Sequence, residues 1–144
     1  MQVQHILKSK GIDDVYTVKP GTRMREAVAM LSEKRIGTVV VSDDGSRAQG
    51  ILSERDVVRA LAARGATAMD APVEEFMTSK LVTCALADRA DAVLQQMTEG
   101  RFRHMPVVED GMMVGLITIG DAVKARLSEL AMERDALEGM IMGH

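Results

Sequence analysis

An α+β fold assembled from two copies of an α/β-type repeat is what this sequence predicts, and three observations predict it. The chain repeats itself at long range: Thr17, Arg23, Glu33, Arg35, Val41 and Asp44-Gly45 recur as Thr83, Arg89, Glu99, Arg101, Val107 and Asp110-Gly111, an offset of 66. One residue fewer in the turn changes the offset to 65, so that Gly50-Ile51-Leu52-Ser53-Glu54-Arg55-Asp56 recurs as Gly115-Leu116-Ile117-Thr118-Ile119-Gly120-Asp121. Within each copy, apolar residues at helical spacing alternate with β-branched runs. A long period present only twice indicates a tandem pair of small units, because a solenoid needs at least three to bury its faces.

The elements follow in order. Ile6 and Leu7 belong to a short helix that Gly11 ends. Val15-Tyr16-Thr17 opens repeat one, and Thr22 is placed to cap a helix over 24–34 whose Met24, Ala27, Val28 and Leu31 keep the i, i+3, i+4, i+7 spacing of one buried face. Ile36 and Thr38-Val39-Val40-Val41 read as a buried strand turned by Asp43-Asp44-Gly45. Gln49 to Leu52 read as the returning strand and Asp56 to Arg64 as a second helix stopped by Gly65. Repeat two spells the same β-α-β-β-α order, with Asp88 as cap, a helix over 90–99, a hairpin of 105–108 with 114–117, and a helix from Asp121. The stretch 66–79, with Pro72, reads as a linker carrying a short acidic helical turn at Val73–Met77. The last helix overruns: Val123, Leu127, Leu130, Leu137 and Ile141 continue an apolar seam interrupted by Arg134, which predicts packing on a second copy of the chain.

Composition bounds the function. A unit of about 60 residues is marginal alone, so the repeats are expected to share a core. The 18 basic and 21 acidic residues are spread along the chain for a net charge of −3, without the basic patch that nucleic-acid affinity requires. No apolar run reaches the roughly 20 residues of a membrane span, and Met1–Lys8 lacks the regions of a secretory signal, so a cytoplasmic protein is expected. The single cysteine, Cys84, has no internal disulfide partner and no partner in metal-ligand spacing. The twelve methionines are expected at core-facing positions, as flexible filler rather than as metal ligands.

Chemistry concentrates in the two Ser/Thr-x-x-Asp segments, Ser53–Asp56 and Thr118–Asp121. Each follows a Gly-headed strand and opens a helix, where outward N–H groups and the positive dipole end favour an anion. Both residue types are also ordinary caps. Their recurrence at the same place in both repeats adds a functional reading: a hydroxyl and N–H groups for phosphate, a carboxylate for a sugar diol.

Taken together and in order, Thr17-Val18-Lys19-Pro20, Ile36–Val41, Gly50–Asp56, Phe76-Met77-Thr78, Arg101–Val108 and Gly115–Asp121 resemble the tandem CBS domain, the pair known as a Bateman module. The resemblance implies CBS units at 11–68 and 77–133 packed about a pseudo-two-fold axis, with 134–144 as a C-terminal helical extension. It also implies two clefts that bind adenosine-containing ligands such as AMP, ATP or NAD. Carried onto this chain, the ribose hydroxyls fall to Asp56 and Asp121 and the phosphate to Ser53 and Thr118. The base falls to Val15, Tyr16, Thr17, Ile36 and Gly37 on one side and to Val82, Thr83, Met105 and Pro106 on the other. At the strand entrance Gly37-Thr38 faces Arg103-His104 in the alignment, so the second repeat carries more positive charge. Arg55, matched by Gly120, reads either as a phosphate donor or as a solvated residue paired with Glu54 or Asp56; His104 reads as a ligand contact or a surface hydrogen-bonder.

No nucleophile–base–orienter set, metal cluster or Gly-rich phosphate loop accompanies these segments, so an enzyme is not expected. The expectation is a regulatory, homodimeric sensor of adenine nucleotides acting on a protein target encoded elsewhere. The alternative is a nucleotide-independent scaffold whose long C-terminal helix carries the role.

Overall fold

The structure is a computed structural model that describes residues 1–10 and 15–143. Its elements are α1 (Val3–Lys10), β1 (Thr17–Val18), α2 (Met24–Lys34), β2 (Thr38–Val41), β3 (Gly50–Ser53), α3 (Glu54–Arg64), α4 (Ala90–Gly100), β4 (His104–Glu109), β5 (Met112–Thr118) and α5 (Ile119–Ile141). Two 3₁₀ segments, Gly65–Asp70 and Val73–Glu75, fill the region expected to be a linker with one acidic turn. The proposed stop at Gly11 lies outside the described residues. The chain divides into two compact units: residues 15–82 with 108–114, and residues 1–10 with 83–107 and 115–143.

In the unit built on the first repeat, β1 runs parallel to β2 and β2 antiparallel to β3, with Thr38 opposite Ser53, Val39 opposite Leu52 and Val41 opposite Gly50. All four β2 residues are buried, which is why the strand reads Thr-Val-Val-Val without polar alternation. Its core gathers Val18, Met24, Ala27, Leu31, Val39, Val41, Leu52, Ala60 and Val73. In the other unit the residues at the same repeat positions, Cys84, Ala90, Val93, Met97, Met105, Val107, Ile117 and Ala125, form the core together with Val3. Volume is exchanged between helix positions: Met24 and Ala27 are answered by Ala90 and Val93. A core filled to similar volume by different side chains is tolerated when patterning is kept.

Val3 and Val73 are equivalent, which the offset of 66 does not reveal. Val73 N donates to Thr22 O and Met24 N to Ala71 O, both at 2.8 Å; Val3 N donates to Asp88 O at 2.8 Å and Ala90 N to Met1 O at 2.9 Å. The helix α1 therefore does for the second-repeat unit what residues 71–77 do for the first. The glycines agree: a Cβ on Gly50 would collide with Met77, and one on Gly115 would lie 2.8 Å from Leu7.

These bonds correct two expectations. Thr22 and Asp88 are not the caps of α2 and α4. Arg23 and Arg89 occupy the cap positions without a side-chain cap bond, and the first N–H of each helix is satisfied by a distant backbone carbonyl instead. Asp88 accepts from Ala85 N at 2.8 Å. The opening strand of repeat two is reduced to a parallel bridge, Cys84 with Val107. The second hairpin is longer than expected and turns on Asp110-Gly111, both at positive φ (51° and 77°), as a two-residue type I′ turn requires.

Candidate functional site

The β3–α3 and β5–α5 junctions form the same hydrogen-bonded ring. Ser53 sits at extended backbone angles and accepts from Asp56 N at 3.3 Å, while Asp56 Oδ2 accepts from Ser53 N at 2.9 Å. Thr118 accepts from Asp121 N at 3.1 Å, and Asp121 Oδ2 accepts from Thr118 N at 2.9 Å. These are reciprocal capping boxes with Asp in the place of the usual Glu. The strand entrance is tied to each junction in the same way: Glu54 N donates to Gly37 O at 3.1 Å, and Ile119 N to Arg103 O at 2.8 Å. Both readings of the Ser/Thr-x-x-Asp segments thus start from one geometry, since capping holds the carboxylate and hydroxyl beside the helix's first N–H groups.

The third partner of each carboxylate differs. Asp56 Oδ2 also accepts from the Ser53 hydroxyl at 3.0 Å, and Arg59 stands 3.9 Å from Oδ1 with its side chain 77% exposed. Asp121 Oδ2 accepts instead from Lys10 Nζ at 2.8 Å, and Lys10 Nζ also donates to Leu116 O at 3.2 Å. Burial pushes the Asp121 carboxyl upward, but the Lys10 ammonium and the Thr118 hydrogen bonds outweigh it and hold the group below the usual carboxylate range. Sequence reasoning missed Lys10. Its signal was present: Leu7-Lys8-Ser9-Lys10 and Met77-Thr78-Ser79-Lys80 share Ser-Lys at an offset of 70.

The other candidate residues distribute as follows. Val15, Tyr16, Thr17, Ile36, Gly37, Thr38, Ser53, Arg55 and Asp56 lie in the first-repeat unit, where Thr38 pairs with Ser53 and Arg55 is exposed. Tyr16 and Ile36 pack against that unit's core, and Lys34 lies over the Tyr16 ring at 5.4 Å. Val82 belongs to this unit as well, whereas Thr83, Arg103, His104, Met105, Pro106, Thr118 and Asp121 belong to the other. Arg103 and Thr83 are exposed, His104 is half-buried, and Met105 is fully enclosed in the core. Burial pushes the Cys84 thiol up to about 11, with Asp88 adding to the shift, so the thiolate a nucleophile needs is disfavoured there. Among the described residues no group of three His, Cys, Asp or Glu is placed to hold a metal ion, and no helix is long and apolar enough to cross a membrane.

Comparison with known proteins follows the repeat. The CBS domain profile matches residues 7–63 and 73–128. A mitochondrial CBS domain-containing protein of Arabidopsis thaliana is 33% identical over 122 residues, which cover 82% of this chain and 59% of the relative. A CBS-domain containing protein from Agrobacterium tumefaciens is 43% identical with a TM-score of 0.82 over 88% of this chain and 99% of its own. A CBS domain protein from Pyrobaculum aerophilum, solved in complex with AMP, is 27% identical with a TM-score of 0.77 over 92% of this chain and 99% of its own. Both profile matches begin at the segment that leads into a repeat, Leu7 and Val73, and end within the helix that opens at its Ser/Thr-x-x-Asp. With two tandem copies of the domain and a long C-terminal helix, this chain belongs to the CBS-domain family.

Proposed function

We propose that the chain is a cytoplasmic regulatory module that senses adenosine-containing ligands, AMP, ATP or NAD, at Ser53–Asp56 and Thr118–Asp121 and relays occupancy through a homodimer to a separate protein target. The observation that carries this reading is the duplicated capping ring. It presents a carboxylate, a hydroxyl and the positive end of a helix together, the three groups that a ribose and a phosphate need. Asp56 and Asp121 then receive ribose hydroxyls, and Ser53 and Thr118 approach phosphate. Arg55, Arg103 and His104 supply further donors, and Val15, Tyr16, Thr17, Ile36 and Gly37, or Val82, Thr83 and Pro106 beside the main chain of the enclosed Met105, border the base. AMP in the Pyrobaculum relative supports the ligand class. The module acts by binding rather than turnover.

Calorimetric titration of AMP, ATP, NAD and adenosine into nucleotide-free protein tests this. Replacing Asp56 or Asp121 by Ala removes charge-assisted hydrogen bonds of roughly 1.5–3 kcal/mol, so affinity at the altered site should fall about 10- to 150-fold. Absence of heat with every ligand, or unchanged affinities in both variants, would refute it.

Self-association has its own support. Along α5, Val123, Leu127, Leu130, Leu137, Met140 and Ile141 are all exposed and recur at helical spacing as one apolar stripe, the kind of surface that marks an interaction site. A homodimer seated on that stripe should dissociate in Leu137→Glu protein, read by analytical ultracentrifugation; an unchanged sedimentation coefficient places the interface elsewhere.

A further inference from the structure

The two capping rings differ in the donor that joins the cap N–H at Oδ2, and at Asp121 that donor carries a charge. A ribose hydroxyl is a neutral donor. At Asp56 it would compete with the Ser53 hydroxyl, another neutral donor, for Oδ2. At Asp121 it would compete with the Lys10 ammonium, whose bond to Oδ2 is charge-assisted and the shorter of the two. The Lys10 and Asp121 side chains are 16% and 20% exposed, so water replaces little of what the pair loses on separation. The position equivalent to Lys10 in the other unit is Lys80, which is exposed.

We propose that Lys10 is a specificity-determining residue: it makes the Thr118–Asp121 helix start accept adenosine ligands that carry phosphate and discriminate against uncharged or cationic adenosine derivatives, a selection that Ser53–Asp56 does not share. The inference rests on the adenine-ligand reading above. A phosphate received at the start of α5 brings anionic oxygens to the side of Asp121 where Lys10 already stands, because one oxygen, Oδ2, accepts from both Thr118 N and Lys10 Nζ. The ammonium then turns from carboxylate to phosphate, and the carboxylate is released to the ribose. Adenosine offers no such exchange, and a sulfonium derivative adds repulsion between like charges.

The test uses Asp56→Ala protein, in which Thr118–Asp121 is the intact ring, titrated calorimetrically with adenosine, AMP and ATP, alone and combined with Lys10→Met or Lys10→Arg. AMP should bind at least about tenfold more tightly than adenosine in the Asp56→Ala background. Lys10→Met, which keeps the length and loses the charge, should bring the two within about threefold by weakening AMP and strengthening adenosine, and Lys10→Arg should preserve the preference. Lys10→Gln repeats the measurement with a neutral polar side chain should the Met variant fold poorly. An AMP-to-adenosine ratio unchanged by both neutral variants, or adenosine binding as tightly as AMP before Lys10 is altered, overturns the role of Lys10. Binding to wild type that vanishes in Asp56→Ala overturns it too, while leaving the ligand class intact at Ser53–Asp56. Wild-type protein that binds none of the three ligands removes the adenine reading, and the proposal falls with it.

Discussion

Asp56 and Asp121 close identical rings with the residue that precedes each helix, yet one carboxylate is bonded to its own cap hydroxyl and the other to a lysine from a remote helix. The local sequence at each ring keeps the heading Gly, the Ser/Thr and the Asp, while Glu54-Arg55 gives way to Ile119-Gly120. The difference enters through the segment that packs beside the repeat, α1 in one unit and residues 71–77 in the other. In this pair, then, the repeat specifies the scaffold of the ring, and the leading segment supplies the charged partner of Asp121.

The deepest test of the equivalence lies in the cores. Leu52 and Ile117 hold the same repeat position and are both fully buried. Truncating either to Ala should cost about 2–5 kcal/mol of unfolding free energy, similar in the two units. Urea denaturation followed by circular dichroism would measure it. A loss in only one variant would show that the two cores do not contribute alike.

At the rings themselves the effects should be smaller and unequal. Asp56→Ala removes a capping interaction worth about 1 kcal/mol. Asp121→Ala removes the same interaction and also strands a largely buried ammonium, for a total of about 1–3 kcal/mol, between the values of exposed and buried pairs. A double-mutant cycle of Lys10→Met with Asp121→Ala isolates the excess; zero coupling would mean that the lysine contact adds nothing to stability.

Acid sharpens the same contrast. The folded-state carboxyl of Asp121 is held below its unfolded value, so its contribution is fully present above the unfolded pKa of about 3.9 and disappears as pH falls through the lower folded value. Wild-type protein should lose stability more steeply than Asp121→Asn below about pH 4. Thermal melts across that range would show it, and parallel pH profiles for the two proteins would contradict it.

Much of this was legible in the residues. The apolar spacing of Met24, Ala27 and Leu31 placed α2 at its observed bounds, and Thr38–Val41 announced a doubly buried strand. The Ser/Thr-x-x-Asp segments were recognisable as helix starts because a capping ring closes within four residues. The caps proposed at Thr22 and Asp88 failed for the complementary reason. The first N–H groups of α2 and α4 found Ala71 and Met1 carbonyls, partners far away in sequence, which composition near the helix start does not disclose.

Periodicity and short-range hydrogen bonding are properties of neighbouring residues, so the sequence by itself determined the helices, the strands of the first repeat, the duplicated hairpin and the twin rings. Which leading segment packs with which repeat, and hence that Lys10 reaches the second carboxylate, was decided only by tertiary structure. Lys10 and Asp121 stand 111 residues apart, and only folding of the second-repeat unit around α1 brings the ammonium to 2.8 Å from the carboxylate.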